Sequence, residues 1–233
     1  MSTSEALEVQ AVSAGFKRLL DDRWSCRAYQ PGQVPDDVIA EMLRIAQRTA
    51  SWCNTQPWQV YLTKGEATGR FARSLTEHAK THEQVSDLDM PAGYHGVYKD
   101  RRRGAGYALY ASLGITREDW DAREAQRLRN FRFFGAPHVA VITTDRDQGV
   151  YGAVDCGGYV ANFINAATSL GVATIPQAAI AMHADHVREF FEIPEDRLIV
   201  CAVSFGYADT EHPVNQFRTS RAEVEDAVVV VDH

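Results

Sequence analysis

Ser51-Trp52-Cys53-Asn54-Thr55-Gln56-Pro57-Trp58 stands between a helical pattern and an extended one. Upstream, Val38, Ile39, Met42, Leu43 and Ala46 form an apolar stripe at helical spacing. Pro35-Asp36-Asp37 opens that helix, because proline and acids suit a first turn with free N–H groups. Pro57 fixes its own φ and pushes Gln56 out of the helical region. The chain must leave the helix here and run extended through Trp58-Gln59-Val60-Tyr61-Leu62. Polar side chains and two Trp at such a boundary are placed where ligand sites tend to lie.

Working outward, Leu7, Ala11, Val12, Phe16, Leu19 and Leu20 predict a helix over 5–22. Lys64-Gly65-Glu66 reads as a turn into a helix ending near Thr81. Residues 82–108 are rich in His, Asp, Gly, Tyr and Arg, with a turn at Pro91-Ala92-Gly93-Tyr94, and read as a long excursion or lid. A helix is expected over 117–130, and Val139-Ala140-Val141-Ile142-Thr143-Thr144 is a buried strand. Ala153–Leu170 is the central helix, its Gly157, Gly158, Ala161, Ala166 and Ala167 admitting a close neighbour, with Gly171 as its cap. Val172–Ile175 reads as a short strand stopped by Pro176, 185–191 as a helix and 198–205 as a buried strand. The tail holds no packed period before Val228-Val229-Val230-Val231, an apolar tetrad that would pair with a sheet edge, its own or a partner's.

The 233 residues, 45% of them hydrophobic, suffice for one sizeable core, so a single domain over 1–233 is expected. A net charge of −7 argues against nucleic-acid binding. No apolar run reaches membrane-spanning length, and the polar start Met1-Ser2-Thr3-Ser4-Glu5 does not resemble a leader. Cys26, Cys53, Cys156 and Cys201 lack paired spacing, so neither a disulfide framework nor a zinc site is expected, and a reduced, cytoplasmic protein is the default.

Two Arg/Ser clusters invite an anion. Arg23, Ser25 and Arg27 lie upstream; Arg218, Ser220 and Arg221 lie in the tail. Guanidinium forks take phosphate bidentately, and hydroxyls fill remaining oxygens. Solvated surface arginines are the plainer reading of either cluster alone. Taken with Ala50-Ser51-x-x-Asn54-x-Gln56-Pro57-Trp58, however, Arg-x-Ser-x-Arg resembles the nitroreductase family of flavin mononucleotide (FMN) oxidoreductases. Thr174-Ile175-Pro176-Gln177-Ala178-Ala179 is similar to that family's flavin-edge loop, and Val203–Tyr207, Pro213-Val214-Asn215 and Arg218–Arg221 to its C-terminal segment.

The resemblance implies an α+β, three-layer α/β/α fold with a mainly antiparallel central sheet. It also implies an intertwined homodimer whose C-terminal arm, 211–233, is swapped onto the partner. Arg23, Ser25, Arg218 and Arg221 match positions holding phosphate and ribityl, with Trp24 contributing backbone. Arg27 matches a position near the pyrimidine edge. Ser51 and Asn54 match contacts from the partner subunit, while Gln177, with Pro176 and Ala178, matches the loop facing flavin N5 and O4. The implied activity is hydride transfer from NADPH or NADH, through FMN, to a nitroaromatic or quinone in ping-pong fashion, with no protein nucleophile or metal. Relatives in the superfamily fragment reduced flavin, remove halogen or dehydrogenate peptides. A flavin-binding sensor and a cysteine hydrolase using Cys53 complete the alternatives.

Other features have plainer readings. Gly104-Ala105-Gly106 lacks the third glycine of a dinucleotide loop, with Leu109 in its place. Arg101-Arg102-Arg103 reads as a solvated face, His183 and His186 as a surface pair, and Cys53 as a small packing residue. Tyr94, Tyr98, Tyr107 and Tyr110 either line a substrate lid or pack the excursion.

Overall fold

The computed structural model describes residues 3–232. The opening Met1-Ser2, read above as unlike a leader, and His233 lie outside the described residues. Four strands form one sheet in the order β1-β2-β4-β3, every neighbouring pair antiparallel: β1 Gln59–Thr63, β2 His138–Asp145, β3 Ala173–Gln177 and β4 Arg197–Gly206. The helices are α1 Thr3–Asp22, α2 Asp36–Ala46, α3 Glu66–Thr81, α4 Gly96–Ser112, α5 Trp120–Leu128, α6 Gly149–Ser169, α7 Ala178–Ala181 and α8 Ala184–Phe191.

Successive residues of a strand face opposite sides of its sheet, and β2 splits accordingly. Val139 and Val141 join Phe71 and Leu75 of α3, Val187 of α8 and Phe131 and Phe133 in one core. Ala140 and Ile142 join Ile39 and Met42 of α2 and Cys156, Tyr159 and Phe163 of α6 in the other. A sheet covered on both faces is the three-layer α+β architecture expected from the sequence. Gly206 at the end of β4 is obligatory for packing, since a Cβ there would meet Pro137 Cδ at 2.5 Å.

Some expectations need correction. Pro176 does not stop β3; it lies within the strand opposite Val203. The reason is position: β3 is an edge strand, where a missing N–H breaks no ladder bond on its open side. The excursion contains α4, which periodicity does not reveal because none of its residues is buried. The helix expected over 117–130 is α5, followed by a tight turn Arg129–Gly135 in which Phe133 and Phe134 take φ of 56° and 55°. Val228–Val231 belong to no strand of this chain and stand 54–87% exposed.

Candidate functional site

The residues after α1 turn along the edge of the sheet. Ser25 bridges to Thr174 of β3, and the Cys26 N–H donates to the Thr174 carbonyl at 2.9 Å. Tail and N-terminal segment are then tied together by Asn215, which is buried. Its Oδ1 accepts from the Arg27 N–H at 2.9 Å, and its Nδ2 donates to the carbonyls of Ala28 at 2.9 Å and Asp209 at 2.7 Å. This side chain, 188 residues from Arg27 in sequence, helps bring the two arginine clusters together, with the Tyr29–Ala208 bridge and the Asp209 N–H donating to the Ala28 carbonyl beside it.

They meet around a cavity of about 260 Å³ lined by Arg23, Trp24, Ser25, Arg27, Arg218 and Arg221, with Thr219 and Phe217 and, from the end of α1, Leu20 and the carboxylate of Asp21. The Arg218 guanidinium sits 4.4 Å over the Trp24 ring and that of Arg27 lies 5.6 Å from Phe217. None of these four arginines makes an ion pair among the described residues. Burial, and then the charge of Arg221, lowers the pKa of Arg23; burial also lowers that of Arg27. Four cations on a small concave surface repel one another, and an anion between them relieves that repulsion. The buried Thr174 hydroxyl, in the residue bridged to Ser25, has no hydrogen-bond partner among the described residues. Unpaired guanidinium groups with hydroxyls among them are a donor set for a phosphate group.

Gln177 is placed differently. Its side chain is buried, Nε2 donating to the Asn130 carbonyl at 3.0 Å and Oε1 accepting from the Ser204 hydroxyl at 2.5 Å. The amide is consumed inside the chain, so this residue can meet a ligand only through its backbone. Its neighbours Pro176 and Ala178 are exposed beside it.

Ser51 and Asn54 do not line the arginine cavity. They form a turn in which Cys53, Asn54 and Gln56 all have positive φ, at 48°, 59° and 48°. Left-handed backbone at three non-glycine residues in four is costly, and such strain concentrates at functional sites. Pro57 thus drives Gln56 not into extended backbone but across to positive φ. The Ser51 hydroxyl accepts from the Gln56 N–H at 2.9 Å, and the Trp52 N–H donates to Asp155 of α6 at 3.1 Å. Trp58 is a core anchor: it is buried, stacks on Tyr159 at 5.0 Å and donates to Gln47 at 3.1 Å.

Sequence reasoning had not placed Thr219 or Phe217 at the cavity, nor identified Asn215 as its tie; a lone Asn in an irregular tail carries no periodic signal. Two plain readings are corrected. Cys53 is exposed, so it is not a packing residue within this chain. His183 is fully buried rather than on the surface, edge-on to His78 at 5.3 Å, and His186 stacks on His78 at 4.6 Å. No group of His, Cys, Asp or Glu suited to a metal occurs among the described residues. Burial raises the pKa of Cys26 and Cys156 to about 11 and of Cys201 to about 12, so these thiols stay protonated near neutral pH.

The sequence model of the nitroreductase family matches residues 20–207. The chain is 36% identical over 207 residues to nitroreductase NfnB of Mycolicibacterium smegmatis, covering 88% of each chain. It is 34% identical over 228 residues to a 4-nitrobenzoate reductase of a Nocardioides species, covering 94% of this chain and 90% of that one. Among solved structures, the FMN-dependent nitroreductase NfnB from Mycobacterium smegmatis in complex with NADPH superposes with a TM-score of 0.91 at 32% identity, over 95% of this chain and 100% of that one. Sheet order, arginine cavity and sequence match together establish that this chain belongs to the nitroreductase family.

Proposed function

We propose that the protein is an FMN-dependent NAD(P)H oxidoreductase acting on nitroaromatic or quinone acceptors. The observation that carries this reading is the convergence of Arg23, Arg27, Arg218 and Arg221 with Ser25 on one cavity whose single lining carboxylate, Asp21, pairs with none of them among the described residues. FMN, when bound, would supply the two-electron redox chemistry between NADPH or NADH and the acceptor. Arg23, Arg218, Arg221 and the Ser25 hydroxyl hold its phosphate, and Trp24 supplies a wall and backbone. Arg27 would set its half-buried positive charge near the ring system of a bound flavin and favour added negative charge there. The backbone of Pro176, Gln177 and Ala178 would border the ring of a bound flavin.

Ser51 and Asn54 complete the site from a second copy of the chain. Support for a homodimer comes from apolar surface that this chain leaves open: Leu7, Val12 and Phe16 of α1, Val150 and Val154 of α6, and the Val228–Val231 arm. Exposed apolar side chains of this number suit an interface. Four free cysteines suit a reduced, cytoplasmic setting.

The test is the visible spectrum of the purified protein, repeated without oxygen after adding NADPH or NADH. Flavin absorbance that bleaches with either donor and returns on adding a nitroaromatic supports the proposal. A protein that carries no flavin and takes up none from added FMN overturns it.

A further inference from the structure

A second cavity, of about 600 Å³, lies between α4 and α5 and shares no lining residue with the arginine cavity at residues 20–27 and 217–221. One face of α4, with Val97, Arg101 and Ala105, turns toward residues 218–228 of the tail. Another, with Arg103, Tyr107 and Tyr110, lines this cleft, and Arg117, Trp120 and Arg123 close it from the α5 side. The Arg123 guanidinium lies 5.0 Å from the Tyr110 ring and 4.9 Å from Trp120, and its Nη1 donates to the Arg117 carbonyl at 3.0 Å. Arg103 donates to the Tyr107 hydroxyl at 3.0 Å.

None of Arg102, Arg103, Arg117 and Arg123 makes an ion pair among the described residues, although Glu118, Asp119 and Asp121 stand in the same segment. Flanking arginines behave otherwise: Arg127 pairs with Glu124 at 2.7 Å. The Tyr107 hydroxyl has its pKa lowered, first by its hydrogen bond to Arg103 and further by Arg117 and Arg123, so the fields of three guanidinium groups meet at this one ring. Trp120 and Tyr107 remain 71% and 52% exposed. Exposed rings, each with a guanidinium over one face (Arg103 on Tyr107 at 5.7 Å, Arg123 on Trp120 at 4.9 Å), beside forks that no carboxylate engages, are suited to a ligand that is both flat and negatively charged: it stacks on the remaining ring faces and the forks take its oxygens.

We infer that the α4–α5 cleft is a binding site for an aromatic anion, held by stacking on Trp120 and Tyr107 and by charge-assisted hydrogen bonds from Arg103, Arg117 and Arg123. The cleft volume falls within the range of small-molecule sites. The inference rests on the proposed reaction only for the choice of ligands. That reaction offers two sources of the same chemistry: an aromatic carboxylate as acceptor, or the phosphorylated adenosine end of NADPH.

Calorimetric titration of the purified protein with 4-nitrobenzoate, nitrobenzene, adenosine 2′,5′-bisphosphate and adenosine 5′-monophosphate tests it directly. Binding of 4-nitrobenzoate or of adenosine 2′,5′-bisphosphate that falls about tenfold in R117Q and R123Q, and also in W120A, is the expected result. In steady state, a KM for 4-nitrobenzoate that rises while that for nitrobenzene and kcat stay unchanged identifies the carboxylate source. A KM for NADPH that rises with that for NADH unchanged identifies the phosphate. Unchanged titrations in all three variants, their melting curves matching the parent, overturn the inference. Because the titration needs no turnover, it separates failure of this site from failure of the flavin reading.

Discussion

Helices α6 and α4 are of similar length and both mix glycine, alanine and tyrosine, yet they are held by different forces. Of the 21 residues of α6, six are buried, and they lie against β2 and α2. Of the 17 residues of α4, none is. One helix is specified by the core it covers. The other rests on local propensity, on Arg–aromatic contacts and on the tail beside it, so its side chains remain available to ligands and to a second chain. Stability and recognition are thereby assigned to different helices.

The contrast can be broken most strongly at its ends. Phe205→Ala empties the core under α6 and is expected to cost about 3–5 kcal/mol, whereas Tyr98→Ala on α4 changes stability by less than about 0.5 kcal/mol, both read from denaturant unfolding. At the cavity, Arg218→Ala removes a charge-assisted contact and is expected to weaken FMN binding by about 10–100-fold in a flavin titration, with the unfolding midpoint of the flavin-free protein little changed. Glycine gives a sharper comparison, because the same substitution should act with opposite sign on the two helices. A Cβ at Gly152 of α6 would collide with the Thr144 hydroxyl and come 2.8 Å from Gln148 Cβ, so Gly152→Ala is expected to destabilise by about 1–3 kcal/mol. At Gly106 of α4 an added Cβ would meet no atom of the described residues within 4 Å beyond its own turn of helix, and Gly106→Ala should stabilise by about 0.5–1 kcal/mol.

The smallest expected effect concerns acid. Burial and the neighbouring His78 lower the pKa of His183 and His186 from 6.5. The unfolded chain then binds more protons than the folded one below about pH 6.5, so stability is fully present above that pH and falls as pH drops through it. Neither ring nitrogen of His183 has a hydrogen-bond partner among the described residues, so His183→Leu should flatten the acid limb without loss at pH 8. An unaltered limb would assign the acid sensitivity elsewhere.

Much of this was legible in the chain. The boundary at Glu66–Thr81 and strands β2 and β4 follow from turn residues and β-branched runs that keep the same meaning in any context. Legibility fails where context decides. Pro176 reads as a breaker unless its strand is known to be an edge, and α4 carries no stripe because it faces no core. His183 and His186 look like a surface pair until α3 is packed over them. At the site, the sequence supplied the residue types and their order, and the structure brings Arg23, Trp24, Ser25, Arg27, Arg218 and Arg221 to one cavity. It leaves Ser51 and Asn54 apart from that cavity and turns the Gln177 side chain inward.

The sequence by itself determined the local elements, because backbone preference and apolar period act over a few residues. It also determined the chemistry on offer, a set of arginines suited to an anion. Only the tertiary structure decided which of those groups share a cavity. Contacts such as Asn215 to Arg27 join positions 188 residues apart, and no local preference encodes a distance of that kind.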